Sequence, residues 1–237
     1  MHKVIFVSLK RVFLLSLALT LHVGGARAEI VLPSVFSDNM VLQQKDNVKI
    51  WGKGDANKVV RIVTSWNKKE YKTSVDRSGN WEVYLNTPVA GGPYTITVSD
   101  GEMITLKNVL VGEVWVCSGQ SNMSMPVKGF GNQPILNSNA ILLKSDNPQI
   151  RLIRYEHAQK RSPQFDCKST SWEVSNIESA KSFSSVGYQF AQMLQEQLKD
   201  PVGMIMSSVG GTKIEAWLAS NSLKDFSGIK ISPPVGT

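Results

Sequence analysis

The stretch VLVGEVWVCSGQSNM at residues 109–123 decides how this chain is read. Residues 109–117 form an apolar run broken only by Gly112 and Glu113. Such a run predicts a strand buried on both faces of a parallel sheet. The polar turn Ser118-Gly119-Gln120-Ser121 follows at the strand's carboxyl end, where open α/β sheets place their ligand crevices. Gly119 permits a sharp bend that presents Ser121 and offers the local N–H groups to a developing oxyanion. Met123 occupies the place of the second glycine in a Gly-x-Ser-x-Gly elbow, so this is a different turn.

Working outward toward the carboxyl terminus, a Gly/Asn/Pro-rich stretch runs to about residue 149, and a strand is expected at 150–155. Phe183, Val186, Phe190, Met193, Leu194 and Leu198 recur at helical spacing, which predicts an amphipathic helix over residues 184–199, ended by Asp200-Pro201. A second buried strand is expected at 202–208. Gly210-Gly211 then turns into a second helix, with Thr212 and Glu215 spaced as a capping box. Strand, loop, helix, strand is α/β grammar. The turn at 207–212 is another corner whose glycine N–H groups suit an anion. Two such corners on neighbouring units point to acyl transfer.

Working outward toward the amino terminus, the grammar is all-β. Short β-branched and aromatic runs at 48–51, 59–64, 71–75, 81–85, 94–98 and 103–106 are separated by Gly/Asp/Asn turns. This predicts an all-β sandwich over residues 29–107. An incomplete, flavodoxin-like α/β domain is expected over 108–237. Trp51, Trp66 and Trp81 are read as sandwich core, with a sugar-binding platform as the other use of such residues.

Residues 1–28 read as a cleaved leader: basic Lys3, Lys10 and Arg11, an apolar run, then Ala26-Arg27-Ala28. An exported chain, periplasmic or extracellular and without a membrane span after cleavage, is expected. Removing the leader takes Lys+Arg from 26 to 22 against 19 acids, so the net charge falls from +7 to +3. No basic block remains for nucleic acid. His2 and His22 leave as well, so His157 is the remaining imidazole. No zinc-ligand spacing occurs, and Gly210-Gly211-Thr212-Lys213 lacks the preceding glycine of a phosphate loop, so neither metal nor cofactor is expected. Whether Cys117 and Cys167 pair is left open.

Three blocks together carry a resemblance: residues 111–123, residues 207–217 (SSVGGTKIEAW) and residues 32–42 (LPSVFSDNMVL). They resemble the sialate O-acetylesterases of the SGNH hydrolase superfamily. The resemblance implies that Ser121 is the nucleophile, and that its own N–H with that of Gly210 or Gly211 forms part of the oxyanion hole. It implies an acetylated sugar or glycan as partner, sialic acid being the family's named substrate and acetylated plant polysaccharide an alternative.

Two further family blocks do not occur. One resembles Trp-Tyr-Gln-Gly-Glu; the other, Asp-x-x-His, supplies the general base. No Asp here is followed three residues later by His. A serine hydroxyl attacks poorly at neutral pH unless a positioned base takes its proton. The sequence therefore reads as an amino-terminal piece of a longer esterase, with His157 expected in a surface loop. A non-catalytic fragment and a glycan-binding β-domain protein are the competing readings.

Overall fold

The computed structural model describes residues 29–158, 160, 162–218, 220–223 and 226. The expected leader at 1–28 and the tail at 229–237 lie outside the described residues. Alternation of apolar and polar residues builds the first strands: β1 (Val41–Gln43), β2 (Asn47–Lys53), β3 (Val59–Thr64), β4 (Glu70–Ser74), β5 (Asn80–Asn86) and β6 (Gly91–Ser99). In β3 the alternation is complete, with Val60, Ile62 and Thr64 buried and Val59, Arg61 and Val63 exposed. β2 and β5 pair antiparallel as a separate two-stranded sheet. That ribbon packs on β3 and β6 through one core that includes Ile50, Trp81, Leu85, Val60, Ile62, Ile96 and Val98. Trp81 is 3% exposed, and Trp51 and Trp66 are half-buried against the same core. Trp66 also donates from Nε1 to the Asn86 carbonyl at 3.2 Å and stacks edge-on with Tyr94.

β7 (Met103–Gly119) is 17 residues long and joins what the sequence presents as two regions. Its first half pairs antiparallel with β6, and residues 113–119 pair parallel with β10 (Val202–Ser208). β10 lies between β7 and the parallel strand β8 (Asn147–Arg154), with β9 (Glu173–Ser175) antiparallel at the far edge. The result is one eight-stranded mixed sheet in the order β4-β3-β6-β7-β10-β8-β9, with β1 paired parallel to β7 off that path. The 107/108 division read from sequence falls inside β7, at Asn108, whose φ is 53°.

A buried cation ties the two regions together there. Arg151 on β8 is 3% exposed. It donates from Nε to the Pro148 carbonyl at 3.0 Å and from its two Nη atoms to Asn39 Oδ1 and Asn108 Oδ1. Asn108 in turn donates to Asn39 Oδ1 at 2.8 Å. A guanidinium removed from water needs these acceptors, and burial lowers its pKa.

The helices are α1 (Ser121–Ser124), α2 (Ser138–Leu143), α3 (Ile177–Lys181), α4 (Ser185–Leu198) and α5 (Ser220–Leu223). α4 matches the expected amphipathic helix. The Ser184 hydroxyl caps it by accepting from Gly187 N at 3.1 Å. Gly187 lets α4 approach β7 closely, because a methyl there would meet Cys117 Sγ at 2.7 Å. With Ala180, Phe183, Tyr188 and Ala191, this face covers Ile150, Leu152, Val202, Met204 and Met206 of the sheet.

Two expectations are corrected. The 109–117 run is not buried on both faces throughout, since Trp115 and Val116 are 44% and 65% exposed. β1 pairs with β7 only at residues 110–112, and the Gln43 side chain extends that edge to Val114 N at 2.9 Å. Past that point β10 is the one strand beside β7 among the described residues. The second correction concerns the capping box at Thr212 and Glu215, which does not form. Residues Ile214–Trp217 make a short 3-10 turn preceded by Lys213, without a side-chain cap. The Thr212 hydroxyl is engaged elsewhere: it donates to the Val209 carbonyl at 2.8 Å and accepts from Trp217 Nε1 at 2.9 Å.

Candidate active site

The carboxyl ends of three parallel strands meet at one edge of the sheet. β7 delivers Ser118 to Ser121, β10 delivers Ser208 to Gly210, and β8 leads into Tyr155 and His157. Register fixes the first two, with Ser118 opposite Ser207 and Gly119 opposite Ser208. The ladder continues one step further through Val209 N to the Gly119 carbonyl at 2.9 Å.

Gly119 has φ +137°, a conformation that L side chains rarely adopt. Glycine is what lets β7 break at once into α1, where Ser124 N and Met125 N donate to the Gln120 and Ser121 carbonyls at 2.9 and 3.0 Å. Ser121 opens that helical turn and is exposed. Gly210 comes close from β10: a methyl at its Cα would lie 3.6 Å from Ser121 Oγ and 4.0 Å from Ser121 Cα. The two corners marked in the sequence are thus brought together, while Gly211, with φ +75°, forms the next bend.

A hydroxyl pair that sequence reading missed fastens this arrangement. Ser124 Oγ on α1 donates to Ser208 Oγ at 3.0 Å, and Ser208 is 3% exposed. The two residues are 84 positions apart, so no local pattern announces the bond. Behind them Ser184 Oγ contacts Met123 Sδ at 3.3 Å, and Cys117 is buried, its thiol pushed up to about 11 by desolvation.

His157 is brought to the same end of the sheet, without a hydrogen bond to Ser121. It lines a cavity of about 490 Å³ with Tyr155, Ser207, Ser208, Thr212 and Trp217. The hydrogen bond of Ser121 Oγ is to Gln120 Oε1 at 3.4 Å, and no imidazole bonds it among the described residues. Burial raises the pKa of Tyr155, partly offset by its hydrogen bond with Ser34, so the phenol stays neutral up through its ordinary titration range and forms a hydrogen-bonding wall of that cavity. Cys117 and Cys167 are both free thiols, the second exposed. Among the described residues no group of His, Cys, Asp and Glu is arranged to hold a metal ion, and no helix is long and apolar enough to cross a membrane.

Residues 111–227 match the family model for carbohydrate esterase, sialic acid-specific acetylesterase. Human sialate O-acetylesterase is 30% identical over 208 residues, covering 81% of this chain and 39% of the human protein. The rat sialate O-acetylesterase is 30% identical over 215 residues, covering 84% of this chain and 39% of its own. The crystal structure of a carbohydrate acetylesterase from Xanthomonas citri superposes with a TM-score of 0.74 at 31% identity, covering 83% of this chain and 44% of that one. The chain spans about two fifths of the length of these relatives. These matches place it among the carbohydrate esterases. Within them, it belongs to the sialic acid-specific acetylesterase family.

Proposed function

We propose that this chain carries the nucleophile half of a carbohydrate O-acetylesterase site, with Ser121 attacking the acetyl carbonyl of an acetylated sugar. The N–H groups of Ser121 and of Gly210 or Gly211 hold the oxyanion, the sugar hydroxyl leaves, and water releases acetate from the acyl-serine. The observation that carries this reading is the approach of Gly210 to the Ser121 hydroxyl at the paired ends of β7 and β10. The Ser121 proton requires a base, and His157 faces the neighbouring cavity, so turnover by this polypeptide alone is near background. Sialic acid esters are the favoured substrate class, with acetylated plant polysaccharide as the alternative. In the same reading the chain is exported to the periplasm or beyond, and residues 29–107 form a small β-sandwich whose second sheet is the β2–β5 ribbon.

Acetate release from an acetylated sialic acid and from a chromogenic acetate tests the reaction. The expected result is a rate near the uncatalysed one that does not fall in His157→Ala, with any excess lost in Ser121→Ala. Robust turnover that His157→Ala abolishes overturns the assignment of the base. Robust turnover that survives Ser121→Ala overturns the nucleophile.

A further inference from the structure

A second cavity, of about 600 Å³, opens on the outer side of the β2–β5 ribbon, away from Ser121. Along β2, Ile50 is buried in the core while Lys49 and Lys53 are exposed. Trp51, half-buried against the edge of that core, lines the cavity together with Gly52 and the core residue Trp81. It is braced edge-on by Phe36 at a centroid distance of 4.5 Å and an interplanar angle of 79°. A further aromatic ring, Phe165, reaches the cavity from the stretch at residues 162–168, with Lys53 Nζ 4.9 Å above its centroid.

The loop is anchored so that Phe165 is held in place. Asp166 accepts from Ser34 N at 2.9 Å and from Ser34 Oγ at 2.8 Å, and Ser34 Oγ also contacts the Cys167 carbonyl. The remaining lining is polar. Asp76 uses Oδ1 to accept from the Ser78 and Asn80 amides, which fixes the turn beside the cavity. Lys49 and Glu82 pair across the ribbon, so the lining holds both signs of charge.

Three aromatic residues, Trp51, Trp81 and Phe165, bordered by amide and carboxylate groups in a cavity of this size match the chemistry of a pyranose, which has an apolar C–H face and a rim of hydroxyls. With Lys49 set against Asp76 and Glu82, the lining carries one net negative charge, which favours a neutral sugar over an acidic one. We propose that this cavity is a binding site for a neutral oligosaccharide, with a sugar ring against Trp51 and Phe165 and its hydroxyls on Asp76 and Asn80. Cys167, two residues on from Phe165, lines the cavity beside Ser208. The inference stands apart from the reaction at Ser121, and the two fail independently.

Titration of the Ser121→Ala chain with xylohexaose and with chitohexaose, followed by the indole N–H resonances and by calorimetry, tests it. Saturable binding of either sugar is expected, with the Trp51 resonance moving. Phe165→Ala is expected to weaken that binding about tenfold and Asn80→Ala severalfold, with unchanged circular dichroism in both variants. The proposal is overturned if neither sugar binds, if both variants bind as the parent does, or if the Trp217 resonance moves while that of Trp51 stays still.

Discussion

Replacing Val116 by lysine examines the free edge of β7. Val116 is 65% exposed and Trp115 44%, on the segment where β10 is the one strand partner among the described residues. Next to them, α4 presents Val186 and Met193, 53% and 60% exposed, while Phe190 stacks edge-on with Trp115 at 5.0 Å. Unpaired backbone beside an apolar stripe is a template for further pairing. Full burial of a valine side chain contributes about 1.5–3 kcal/mol, so covering the exposed two thirds of Val116 contributes about 1–2 kcal/mol per copy. In a contact that joins two copies edge to edge, this doubles to at least about 2 kcal/mol, or about thirtyfold in dissociation constant. A lysine also places like charges across such a contact. The parent chain is therefore expected to self-associate and to bind an environment-sensitive hydrophobic dye. Val116→Lys is expected to shift the association midpoint at least about thirtyfold upward in light scattering. A parent that stays monomeric and dark to the dye, with one sharp thermal transition, refutes the reasoning. So does a lysine variant that associates as readily as the parent.

The hydroxyl pair gives a second expectation. Ser124→Ala strands the buried Ser208 hydroxyl and is expected to cost about 1–3 kcal/mol in urea unfolding, measured on the Val116→Lys background. The Ser124→Ala/Ser208→Ala double variant should recover part of that loss, and a strictly additive cycle would show that the bond does not fasten α1. Gly187→Ala forces a methyl against Cys117 Sγ and is expected to destabilise by about 1–3 kcal/mol, read as a lower Tm; an unchanged Tm would deny the close approach of α4. The two thiols should differ in chemistry. Cys117 is buried with its pKa at about 11 and stays protonated below that, whereas Cys167 is exposed. Iodoacetamide near pH 8 is expected to label one site by mass spectrometry, and prompt labelling of Cys117 in folded protein would contradict its placement.

Much of the architecture was legible because local chemistry and tertiary packing agree. The β3 alternation, the apolar spacing of α4 and the buried run of β10 each give an element within a residue or two of its observed bounds. Glycine at 119 and 210 marked the two corners, and the pairing of β7 with β10 brings them together. What could not be read was decided by partners distant in sequence. The change of pattern between Lys107 and Asn108 reads as a division, yet Asn108 is held in its left-handed conformation within a continuing strand while its side chain meets Arg151 and Asn39. The Thr212–Glu215 spacing mimics a capping box, but Trp217 and Val209 claim the hydroxyl first. The role of Ser124 depends on Ser208, and the exposure of Val116 depends on β10 being the one strand beside that stretch of β7 among the described residues, so neither belongs to any short window of sequence.

The length of β7 has a mechanical consequence. A single strand that is hydrogen-bonded to β6 along one half and to β10 along the other acts as a common beam. A blade placed after residue 107 would cut through that beam, not between two self-sufficient globules. Strain applied to the ribbon end is transmitted along the same backbone that ends at Gly119, so heat or a protease should find the whole assembly yielding as one unit.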